Sequence, residues 1–78
     1  MKRLGQFSIS RDLVDGSPWI VQRIMSQCII IRAELMHINN VIEYHAISYR
    51  FDLMKDGEIT PRYMWKFNPK TDIEAVRL

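Results

Sequence analysis

The stretch from Cys28 to Phe67 constrains the fold most, because its apolar residues recur at nearly every second position and are interrupted by two turn-forming groups. Ile, Val, Tyr and Phe at this density suit a pleated, half-buried surface, so the stretch predicts three consecutive antiparallel strands. The turns are Asn39-Asn40 and Lys55-Asp56-Gly57-Glu58. Asn tolerates positive φ, and a two-residue loop needs it at both positions, so Asn39-Asn40 predicts a tight hairpin. In that register Ile38 faces Val41, Leu35 faces Tyr44, Glu34 faces His45 and Ala33 faces Ala46. Ile29, Ile31, Ala33 and Leu35 on the first strand, with Ile42, Tyr44 and Ala46 on the second, then form a core face.

Past Ala46 the alternation changes phase, since the apolar residues become Ile47, Tyr49, Phe51 and Leu53. A slip of one residue sends side chains to the other face unless the strand bulges, which predicts a bulge or coil at Ala46 to Ser48. The third strand, Ile59 to Phe67, sets Ile59, Pro61, Tyr63, Trp65 and Phe67 against Glu58, Thr60, Arg62, Met64 and Lys66. Two registers stay open. A three-residue loop with left-handed Gly57 brings Tyr49 to Tyr63 and Ile47 to Trp65, giving one core. A loop of Asp56-Gly57 alone brings Ser48 to Trp65 and Ala46 to Phe67. It leaves Cys28, Ile30, Ile47, Tyr49 and Phe51 on the opposite face, a patch that suggests a dimer interface.

The flanks read as cover for this sheet. Leu4 to Ile9 alternates Phe7 and Ile9 inward with Gln6 and Ser8 outward, as a short edge strand does. Ser10 to Gly16 is a loop or one helical turn. Ser17 can cap a helix that begins at Pro18, and Val21, Ile24, Met25 and Cys28, widened by Ile20, form its apolar stripe over about three turns. The tail from Thr71 fits a capping box with Glu74, yet its alternation favours a strand. The expected fold is a single α+β domain spanning residues 1–78, a curved antiparallel sheet of three to five strands with one amphipathic helix, in the order β-α-β-β-β with a C-terminal strand.

Composition bounds the function. With 47% hydrophobic and 26% charged residues the chain is an ordinary globule. At 78 residues it buries only about 60–65% of its unfolded surface, and its one cysteine and two histidines supply neither a disulfide nor a zinc site. Oligomerisation is the remaining common source of buried area. No run is apolar enough for a membrane span or a signal peptide, which points to the cytoplasm and to no membrane role.

Few residues carry chemistry. Glu34 opposite His45 resembles the orienting half of an acid-base pair, but no nucleophile accompanies it, and opposed charges across a sheet are ordinary. His37 and His45 fall on opposite faces, so no metal site is expected. Cys28, at the C-terminal end of the helix, reads as a small core residue. The 52–58 turn lacks calcium-ligand spacing. Arg50, Arg62, Lys66 and Lys70 suggest a basic strand face for nucleic acid, but the net charge is only +2. On these readings no cofactor is expected, no catalytic constellation is evident, and an enzyme is the less favoured class. They point to a small interaction module, acting through a sheet face or edge as a homodimer, with Ile47, Tyr49, Phe51 and Trp65 as the partner-binding residues. Nucleic-acid binding, and a small enzyme or ligand-binding subunit using the Glu-His pair at a subunit junction, are the alternatives.

Overall fold

The computed structural model describes residues 3–68 and 72–78, so Lys70 and Thr71 lie outside it. Strand β1 spans Leu4–Ser10, followed by helices α1 (Arg11–Gly16) and α2 (Pro18–Met25). Strands β2 (Ile29–Met36) and β3 (Val41–Ile47) form a hairpin, and β4 (Tyr63–Asn68) and β5 (Asp72–Arg77) form another. The molecule is a small α+β domain with one three-stranded antiparallel sheet, ordered β1-β3-β2, and one two-stranded sheet, β4-β5. The tail is therefore a strand.

The β2–β3 hairpin forms, but two residues out of the expected register. Met36 pairs with Val41, Ala33 with Tyr44 and Arg32 with His45. The loop is four residues, 37–40, with Asn40 alone at positive φ (54°). A slip of two preserves the faces, because side chains alternate with period two. Glu34 meets Glu43, not His45. The bulge lies on the other strand from the one expected, with Ile31 the extra residue between Ile30 and Arg32.

The second predicted hairpin does not exist. Gly57 is left-handed (φ 80°) and Glu58 N–H donates to Lys55 O (3.1 Å), so the turn is local and real. It does not return the chain to β3, whose two neighbours are already β1 and β2. Both registers proposed for it therefore fall. The phase change after Ala46 is the coil alternative: β3 ends at Ile47 and the chain leaves the sheet at Ser48. Ser48 is buried, its hydroxyl donates to Gln27 O (2.7 Å) and accepts from Arg50 N–H (3.2 Å), and this polar pivot turns Phe51 inward. The third strand starts at Tyr63, four residues later than its alternation suggested.

Phe7 and Ile9 point inward from β1 as expected, and α2 caps the same face with Ile24 fully buried and Ile20, Val21, Met25 and Cys28 packed around it. The helix has eight residues, about 12 Å, one turn short of the apolar stripe. The remaining core comes from the loop and the second sheet: Phe51, Tyr63 and Ile73. Phe51 stacks on Tyr63 with ring centroids 4.3 Å apart, and Phe7 meets Trp65 edge-on at 5.7 Å. Gly5 makes this stack possible, since a Cβ there would lie 2.7 Å from Tyr63 Cδ2 and 2.9 Å from Phe51 Cδ2. Both rings are pinned, with Asp52 N–H donating to Tyr63 Oη (2.9 Å). Gly5→Ala is expected to cost about 1–3 kcal/mol by overpacking, read as a lower urea midpoint with an unchanged slope.

Candidate functional site

The site that the fold leaves open is an edge. Strand β2 is last in its sheet, and all eight of its residues are exposed. No β2 residue belongs to the buried core or to the partly buried shell around it. Ile29 is 69% exposed, Ile31 57%, and Ile38, in the turn beyond, 99%. The face expected to be core on this strand is therefore surface. The reason is reach: α2 and the β4–β5 hairpin both lie over the β1–β3 side, and nothing extends across β2. Leu35 and Met36 continue the apolar run to the hairpin turn.

Two charged residues interrupt it. Arg32 Nη2 lies 3.5 Å from Glu34 Oε2, an exposed pair two positions apart on one face of the strand. The opposite edge of the sheet is occupied. Gln6 N–H donates to Pro61 O (2.9 Å), its side-chain amide donates to Thr60 O (3.1 Å), and Gln6 bridges Arg62 in parallel. The three-stranded sheet thus has one free edge.

The four residues read from sequence as a partner surface divide. Phe51 is 1% exposed and Trp65 is packed against the core, so neither is available unless the core opens. Ile47 and Tyr49 are at the surface, where with Ile29, Cys28 and Ser48 they line a shallow depression of about 240 Å³. Ile47 pairs with Ile29, so this depression adjoins the N-terminal end of the β2 edge. Sequence reasoning missed β2 itself because its composition is that of a core strand.

The basic residues do not assemble into one surface. Arg50 Nε donates to Gln27 Oε1 (2.6 Å) and its guanidinium sits 5.2 Å from the Tyr49 ring centre. Arg62 belongs to a different network on the sheet face away from α2, donating to Ser8 Oγ (2.8 Å) and to Glu43 Oε1 (3.0 Å). Lys66 is exposed on β4.

Acid-base and metal chemistry find little support. His45 lies opposite Arg32 and Gln6, while Glu34 lies opposite Glu43, so the expected Glu34–His45 pairing does not form. No cluster of three metal-ligating side chains occurs among the described residues. Burial raises the Cys28 thiol pKa, against a weaker opposing hydrogen bond with Ser48, so the thiol stays protonated at neutral pH. A cavity of about 420 Å³ opens where β1 and β4 diverge past the Gln6–Arg62 bridge, lined by Ile9, Leu13, Ile24, Tyr63, Trp65 and Phe67 among others. Its lining holds no carboxylate, imidazole or thiol. The indole N–H of Trp65 is buried without a hydrogen-bond partner among the described residues. Such a cavity can take an apolar group, with Ser8, Arg62, Tyr63 and Lys66 as the polar residues of its lining.

Glu43 is the carboxylate the fold does tune. Partial burial opposes its ionisation, but the hydroxyl of Ser8 (2.6 Å) and the guanidinium of Arg62 outweigh it and hold the carboxyl below its ordinary range. A lowered folded-state value means stability that is present above the ordinary carboxylate range and lost as pH falls through the folded value. Glu43→Gln is expected to lower stability by about 0.5–1 kcal/mol at pH 7, discounted for solvent exposure. At pH 3 the native and variant urea curves are expected to converge.

No helix among the described residues is long and apolar enough to cross a membrane. Comparison with protein-family models, with curated proteins and with solved structures returns no match.

Proposed function

We propose that this chain is a small non-enzymatic interaction module that acts as a homodimer by strand addition at the β2 edge. The observation that carries the reading is an eight-residue edge strand, exposed throughout, with Ile29, Ile31, Leu35 and Met36 uncovered. The outward backbone groups of such an edge are a template for another strand. Main-chain hydrogen bonds supply affinity there, and alternate side chains supply specificity. Edges that stay single are commonly short or carry Lys or Pro. Strand β2 is long and has neither, and its only blunting features are the Ile31 bulge and the Arg32–Glu34 pair. A chain of this size without a disulfide or metal also gains much from area buried between copies.

Sedimentation equilibrium across protein and salt concentrations, joined to amide exchange, tests this. The expected result is a dimer that persists at moderate salt, with slow exchange at the outward-pointing β2 amides that β3 leaves unbonded. Leu35→Lys should weaken it by about tenfold or more while the monomer stays folded, because Leu35 packs on nothing in the core. A monomer at every concentration, or outward β2 amides that exchange as fast as the 37–40 turn, would overturn the reading. Binding of single-stranded nucleic acid that falls steeply with salt would favour Arg50, Arg62 and Lys66 in its place.

A further inference from the structure

We infer that the added strand is a second β2, laid antiparallel about a two-fold axis at Ala33, with Arg32 and Glu34 as the residues that set its register. The inference rests on the strand-addition reading above. In antiparallel self-pairing, opposed residues have numbers that sum to a constant, and the axis passes through the residue at half that sum. An axis at Ala33 puts Arg32 opposite the partner's Glu34, and Glu34 opposite the partner's Arg32. It also puts Ile31 opposite the partner's Leu35 and Ile30 opposite the partner's Met36. From Ile30 to Met36 every pair is then apolar with apolar, or positive with negative, and Ile29 falls opposite the partner's His37, beyond the end of the strand.

The neighbouring axes fail on charge. At Arg32 two guanidinium groups oppose each other, and at Glu34 two carboxylates do, and like charges directly opposite are destabilising. At Ile31 the partner of Arg32 is the partner's Ile30, and at Leu35 it is the partner's Ile38, so the charges lose their mates. The same two residues discriminate against foreign strands: an apolar segment laid on this edge would strip water from Arg32 and Glu34 without replacing it.

Two further features fit a closed pair. The ladder of β2 against β3 is regular from Arg32 to Met36 and interrupted at Ile31, so each bulge falls opposite the partner's Leu35 and limits the length of the new ladder. The far edge of the three-stranded sheet is already taken by Thr60, Pro61 and Arg62. Pairing through β2 joins two three-stranded sheets into one of six, with the far edge of each engaged at Gln6.

Charge exchange reads the register directly. Arg32→Glu and Glu34→Arg each create two like-charge oppositions per dimer and should each weaken self-association by about tenfold or more in sedimentation. The double variant Arg32→Glu/Glu34→Arg should restore it, and an equimolar mixture of the two single variants should form a heterodimer at concentrations where neither self-associates. Thermal midpoints of the monomers, taken at high dilution, control for the exposed Arg32–Glu34 contact within one chain. If the native dimer protects β2 amides but the double variant stays dissociated, the Ala33 register is wrong and strand addition stands. If β2 amides are unprotected in the dimer, or no dimer forms, both are wrong.

Discussion

The stack of Phe51 on Tyr63 against the bare backbone of Gly5 ties together parts of the chain that no ladder joins. Among the described residues a single isolated bridge, Gln6–Arg62, links β1 to the chain just before β4, and β4–β5 forms a separate sheet. The two rings, with Phe7 and Trp65 at their edges, therefore hold the second hairpin on the first sheet. Aromatic pairs contribute through both area and ring geometry, and here several share one cluster. The loop carrying Phe51 is locked by the buried Ser48 at one end and by the Tyr63 hydroxyl at the next residue.

That arrangement concentrates the cover on one side. In a chain this short, the two helices, the Phe51 loop and one hairpin supply the cover among the described residues, and the residues they bury pack with Phe7, Ile9 and Ala46 of β1 and β3. Strand β2 keeps its backbone ladder to β3 but receives no layer of its own. Its apolar residues are therefore only partly covered within the chain, and Ile29 and Ile31 keep most of their surface in solvent. The Arg32–Glu34 pair is worth little to the monomer because it is solvated. Between two copies the same charges would select a partner and an alignment.

Local readings held where local physics decides. Phe7 and Ile9 alternate into the core from β1, Pro18 opens α2, Gly57 adopts the left-handed turn and the tail pairs as a strand. Readings that needed a partner strand did worse. Asn39-Asn40 marks a hairpin, but whether the loop takes two residues or four depends on how β3 aligns with β1 as well as β2. The Lys55–Glu58 turn looks the same in sequence whether or not the strands it joins are neighbours. Of the partner residues, Ile47 and Tyr49 reached the surface, while Phe51 and Trp65 were spent on the core.

The sequence by itself determined that this is a small α+β domain, where its turns fall, and which faces of β1 and α2 are apolar, because alternation and caps act over a few residues. Only the tertiary structure decided which strands became neighbours and which apolar strand went uncovered. Ile29 to Met36 has the composition of a core strand, and a sequence cannot say whether α2 will lie over it. That choice was made by competition for one small layer of cover, and the aromatic cluster on Gly5 won it for β1 and β3.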